Sequence, residues 1–318
     1  MNTREYTDEE IEGQVRGLES LQGGSIAAAA LIGCGPRAIP PLGLFLLNGR
    51  PRGVYQPRQL AVETLAQLGA KDVLLDYLSK PLEIKDAVVR MGEDTVRSTA
   101  ARELGRWQTE DVFECLVRAG MEHLLPGIVE SLGKFRRPET IPYFLWALGD
   151  GVCRSYAEEA IRNIGATAQP ALLGAATTRV PTAEEENPSS LQRRRCVLRI
   201  LSDWLVSGAD WVNLRDLLDE KDPEIVITTA RIALETASEP EKWSAIGRII
   251  ETLPMAGWFL RTEVRAALVK HFDLAREQIE DEIARRMTVD GKDQALDVVL
   301  RLLVNLRNQK MNVGTVRR

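Results

Sequence analysis

The chain has 318 residues, 44% hydrophobic, 27% charged and only 5% aromatic, with 41 basic against 46 acidic side chains and a formal charge of -5. The acidic balance argues against a surface devoted to nucleic acid, and Cys34, Cys115, Cys153 and Cys196 are spaced for neither a zinc site nor a compact disulfide framework. Two histidines, His123 and His271, cannot build a multi-histidine metal site, and no P-loop, Gly-x-Ser-x-Gly or His-Glu-x-x-His motif occurs.

Thr7 followed by Glu10 is a capping-box pattern that predicts a polar starting helix from about Asp8 to Leu21. Leu31-Ile32-Gly33-Cys34 resembles a bacterial lipobox, but the preceding stretch sets two arginines against six carboxylates, the wrong sign for an export signal. Pro36, Arg37, Pro40 and Pro41 also interrupt the only apolar run that approaches membrane length. We therefore expect no lipid anchor, no membrane span and a cytoplasmic protein whose cysteines are small, reduced core residues.

From here a signature recurs: two apolar residues, two variable ones, Leu or Ile, then Gly. It stands at Ala28-Ala29-x-x-Ile32-Gly33, Ala100-Ala101-x-x-Leu104-Gly105, Ile128-Val129-x-x-Leu132-Gly133 and Ala160-Ile161-x-x-Ile164-Gly165, with Leu65-x-x-Leu68-Gly69 as a shorter copy. The glycines lie 36, 36, 28 and 32 residues apart, a period that marks stacked helical hairpins. Each glycine is expected to end a helix in the left-handed conformation, and apolar residues then resume at helical spacing, as at Val73, Leu74 and Tyr77.

Asp94-x-Val96-Arg97-x-x-Ala100-Ala101-x-x-Leu104-Gly105 resembles the HEAT-like repeat, in particular the subclass found in phycobilisome lyases. That resemblance implies that Asp94 and Arg97 tie neighbouring units together through side-chain to backbone hydrogen bonds. Asn48 to Pro57 reads as the loop into the second unit, and Thr177 to Ser190 as the longest interruption, a tolerated insertion followed by Arg193-Arg194-Arg195. On charge pattern the arginine cluster suits an anionic partner and internal balance with Glu184 to Glu186 equally well.

The later half keeps the rhythm without the glycine, with slots at Ser202, Glu235 and Asp273, and Ala295 to Leu306 reads as a closing helix before a frayed basic end. The fold expected is all-α, a right-handed α-solenoid of about eight HEAT-like hairpins. Its parts are a capping helix (1-22), glycine-regular repeats (23-178), a loop (179-190), degenerate repeats with a cap (191-309) and a basic tail (310-318). Almost no sheet is expected.

In such arrays the second helices line the concave face. Trp107, Arg136, Arg137, Tyr143, Trp146 and Arg154 fall between the third and fifth units, and Arg with Trp and Tyr is the composition of interface hot spots. Arg136 and Arg137, in a turn before Pro138, are expected to be exposed. Trp146, three residues from Tyr143, fits inter-repeat packing better than binding on pattern alone.

The reading favoured is a non-enzymatic scaffold or adaptor that binds a protein or peptide, with no catalytic residue, metal or cofactor; the oligomeric state is left open. The resemblance also implies a second reading, a bilin lyase or lyase-like chaperone for a phycobiliprotein. A third is the HEAT-like fold of alkylpurine DNA glycosylases, with Trp107 and Trp146 near DNA; the acidic charge and the lack of an aspartate placed between tryptophans weigh against it.

Overall fold

The computed structural model describes residues 6-20, 22-49, 54-81, 83-183, 185-204, 206-287 and 297-315. Among them every regular element is helical, and an isolated antiparallel bridge between Pro181 and Glu186 is the sole β pairing. Two compact units form, Met1–Ala168 and Gln169–Arg318.

The first unit contains α1 (Asp8–Gly17), α2 (Gly24–Gly33), α3 (Ile39–Asn48), α4 (Gln56–Gln67), α5 (Lys71–Ser79), α6 (Ala87–Leu104), α7 (Glu110–Glu122), α8 (Pro126–Phe135), α9 (Ile141–Ala147) and α10 (Arg154–Ile164). Helix α1 starts at the expected box: Thr7 Oγ1 accepts from the Glu10 N–H at 3.2 Å, and Glu10 Oε2 accepts from the Thr7 N–H at 2.9 Å. It stops at Gly17, short of the expected Leu21, and packs on α2 and α3.

From α2 onward alternate helices form one layer, α2 on α4, α4 on α6, α6 on α8 and α8 on α10, while α3, α5 and α7 neighbour one another in a second layer. The apolar signature residues fill the space between. Leu65, Ala100, Ala101, Leu104, Ile128, Val129 and Ile161 are fully buried.

Gly33 closes α2, and Gly105 and Gly165 directly follow α6 and α10, but Gly69 stands two residues past α4 and Gly133 lies inside α8, which runs on to Phe135. Gly69 and Gly165 have φ of 77° and 78°, a positive-φ turn that favours glycine, although Gly165, at ψ -150°, lies outside the left-handed helical region expected. At the first repeat Gly35 makes that turn (φ 66°), two residues after Gly33. Gly105 and Gly133 have no positive φ and serve close packing instead. A Cβ at Gly105 would press into the Ser131 side chain, and one at Gly133 would stand 2.9 Å from the Ala160 Cβ. After α8 the left-handed residue is Arg136 (φ 54°).

A second device recurs beside the glycines. An arginine from one hairpin caps the last carbonyls of the hairpin before it, completing acceptors that a helix end leaves open. Arg58 of α4 donates to the Leu46 carbonyl at 3.1 Å, and Arg97 of α6 donates to those of Leu78 and Lys80 at 2.9 and 2.8 Å. Arg97 thus plays the structural part implied by the repeat. Asp94 does not: one of its carboxylate oxygens is buried without a partner, and burial raises its pKa against the opposing pull of His123, Arg90 and Arg97.

The second unit comprises α11 (Gln169–Thr177), α12 (Pro188–Asp203), α13 (Gly208–Leu214), α14 (Pro223–Thr236), α15 (Glu239–Thr252), α16 (Trp258–Lys270), α17 (Phe272–Met287) and α18 (Val298–Thr315). Side-chain caps set several starts: Asp222 accepts from the Ile225 N–H, Ser207 from Asp210, and Ser238 forms a capping box with Glu241. Helix α12 packs on α14, α14 on α15 and α16, and α17 on α18.

The expected slots at Ser202 and Glu235 fall one residue inside the ends of α12 and α14, but Asp273 lies inside α17. The closing helix, described as Val298–Thr315, runs past its expected end at Leu306, and its expected start at Ala295 lies outside the described residues. All four cysteines are free thiols, three buried and Cys34 partly exposed. Among the described residues no helix is long and apolar enough to cross a membrane.

Candidate interaction surface

The residues singled out by sequence do not form one patch. Tyr143 and Trp146, on one face of α9, meet edge to face with ring centroids 5.9 Å apart. The Tyr143 ring lies over Gly120 of α7, where a Cβ would come within 3.1 Å of it. That close seat is why α7 carries glycine there, and it leaves Tyr143 largely covered.

Trp146 is 50% exposed, which corrects the expectation that it fills an inter-repeat gap. Helix α9 is only seven residues long, and Ile141, Phe144 and Ala147 supply its buried positions, so Trp146 is left on the outer side. Met121, one residue beyond the glycine under Tyr143, is 80% exposed. Arg154 opens α10, half-buried, with no charged partner among the described residues.

Arg137 is only partly exposed, against expectation. Its guanidinium grips the Glu110 carboxylate with both terminal nitrogens, one at 2.8 Å, and lies 4.0 Å above the Phe113 ring, which itself packs 5.2 Å from Phe135. The pair pulls the Glu110 pKa below its ordinary value. Arg137 thus fastens the α8–α9 turn to the start of α7. Arg136, its neighbour, is exposed and lines a cleft between α8 and α10. Trp107 is half-buried after α6 and has no ring contact with Tyr143 or Trp146.

The arginine cluster is also spent internally. Arg194 is fully buried between Glu186 and Glu220, Arg195 pairs with Asp222, and Arg193 donates to the Thr178 carbonyl at 3.2 Å. Arg194 and Arg195 are therefore paired internally, but of the expected partners only Glu186 takes part among the described residues, Glu184 lying outside them, and the other carboxylates are Glu220, Asp222 and Glu224. Sequence reasoning missed a different surface: Met255, Trp258 and Phe259, at the turn into α16, are 65%, 80% and 62% exposed. The signal was three large apolar residues within five positions, set where the repeat signature had faded.

Beneath the α9 pair lies Cys153, 1% exposed. Burial pushes its thiol up to about 12, and the Asp150 carboxylate beside it pushes the same way. Burial first, then Cys153, raises the Tyr143 phenol, while the Leu125 amide opposes the rise. Both groups stay neutral in the folded chain, so their contribution is whole below the unfolded thiol value and is lost as pH rises through the folded one. Stability should fall between pH 9 and about 12. Cys153→Ala should remove on the order of 2 kcal/mol of that alkaline loss at its upper end. Urea unfolding of both proteins at neutral and high pH measures it, and equal alkaline losses would contradict the assignment.

No family model and no curated protein matches this chain. Among solved structures, an engineered protein determined by crystallography is similar at 13% identity, over 97% of this chain and 98% of that one, with a TM-score of 0.28.

Proposed function

We propose that the chain is a non-enzymatic scaffold of HEAT-like hairpins, and that the outer side of α7 and α9 docks a protein or peptide. The observation that carries this reading is Trp146, half exposed yet held edge-on against Tyr143, with Met121 exposed on the adjoining helix. Trp, Tyr and Met are enriched where protein surfaces meet, and a rigid aromatic loses little conformational freedom on binding. Arg154, unpaired at the start of α10, adds a cation that a partner carboxylate could engage.

The variant that tests this surface must spare Arg137, because its removal would unfasten the turn and confuse docking with folding. Trp146→Ala combined with Met121→Ala removes only exposed apolar area. Affinity capture from the native host, read by mass spectrometry, should yield proteins held by the parent and lost from the variant. Thermal melts of the two should coincide within about 0.5 kcal/mol, the usual range for surface substitutions. An identical set of captured proteins rejects the surface.

A further inference from the structure

We propose that the cleft between α8 and α10 binds a peptide segment carrying an acidic side chain and a basic one close together. The cleft has a volume of about 460 Å³, within the range of small-ligand and short-peptide sites. Gln108, Glu130, Arg136, Tyr156, Glu159 and Asn163 supply most of its polar lining.

Two of these charges are not accounted for by the fold. Glu130 is neutralised from within, by Arg102 at 2.8 Å and Lys134 at 3.2 Å. Arg136 and Glu159 share the cleft without pairing with each other or with any other described residue. A simple anion would answer Arg136 and leave Glu159; a ligand bearing both signs answers both. The amides of Gln108 and Asn163 each offer a donor and an acceptor, the complement of a peptide backbone.

The backbone at Arg136 sets what its replacement by glycine should do to stability. It is the only described residue other than glycine with a positive φ, at a helix end where glycine fits without strain. That position is the C-cap of α8, where a left-handed residue ordinarily ends a helix, and an arginine there carries strain that glycine would not. Arg136 also lines the cleft.

The test uses the full chain and the fluorescein-labelled peptide Gly-Glu-Gly-Lys-Gly, followed by fluorescence anisotropy at low salt. Saturable binding is expected, weakened roughly tenfold or more by Arg136→Gly and by Glu159→Gln, and by replacing both peptide charges with glutamine. Trp146→Ala should leave it unchanged, so failure here and failure of the α9 surface are separable. Arg136→Gly should keep or raise the melting temperature, since it relieves the left-handed strain; should it unfold, Glu159→Gln carries the test alone. Absence of saturation at millimolar peptide, equal binding of the neutral peptide, or undiminished binding by the folded variants overturns the proposal.

Discussion

Arg194→Met should lower the unfolding free energy by about 3–5 kcal/mol, the range for removing one partner of a buried ion pair. The guanidinium is fully buried and makes three different bonds: Nε to the Ala176 carbonyl at 2.7 Å, Nη1 to Glu186 at 2.6 Å and Nη2 to Glu220 at 2.7 Å. Methionine fills much of the same volume, so the loss is electrostatic rather than a cavity. It strands Glu186, whose side chain is only 13% exposed and which keeps no other arginine, and it leaves Glu220, 10% exposed, with Arg179 alone.

The same substitution should make stability depend on pH in a particular sense. Without Arg194, poorly hydrated Glu186 has no cation left to offset its charge, so the variant's deficit should shrink in mildly acidic solution. Adding Glu186→Gln and Glu220→Gln should recover most of the loss. Urea unfolding followed by circular dichroism, at neutral and mildly acidic pH, tests all three statements; a single variant within about 1 kcal/mol of the parent would show the network to be energetically idle.

That network explains why the long interruption was harder to interpret from sequence than the repeats. Repetition made the hairpins legible, because buried positions recur at helical spacing and the glycine sits at a constant phase. Function within the phase was less legible. Gly69 and Gly165 reverse the chain, whereas Gly105 and Gly133 admit a neighbouring helix, and the sequence pattern is the same for both. Charge pairing was opaque for a related reason: Glu186 lies eight residues from Arg194, but Glu220 lies twenty-six away, just before α14.

The candidate surface shows the limit of periodicity on a short helix. Tyr143 and Trp146 share a face, but α9 has too few turns for spacing to say how much of that face is covered. Coverage is decided by Gly120 on α7, which admits Tyr143, while Trp146, one turn further, stays half exposed. In the same way Arg136 and Arg137 are adjacent and chemically identical. The left-handed backbone at Arg136 turns the chain between them, and they serve different neighbours, one lining the α8–α10 cleft and the other gripping Glu110.

Gly127→Ala should be the most damaging single-methyl change in the first unit, at about 3 kcal/mol or more. A Cβ at that position would run into the backbone carbonyl of Ser98 on α6, which cannot rotate away as a side chain would. Relief requires α6 and α8 to separate. The separation would strain the Ser98 Oγ bond that accepts from the Gly127 N–H at 2.9 Å and the Ser131 Oγ bond to the Ala101 carbonyl at 2.8 Å. Overpacking of this kind costs about 1–3 kcal/mol where side chains can adjust, and more where backbone must move. Gly13→Ala in α1 is the matched control: nothing lies within 4 Å of its Cβ position, so the same methyl should stabilise by about 0.5–1 kcal/mol through helix propensity. Chemical unfolding of the two variants should therefore move in opposite directions. A Gly127→Ala midpoint equal to the parent's would mean that the α6–α8 seam is looser than its hydrogen bonds describe.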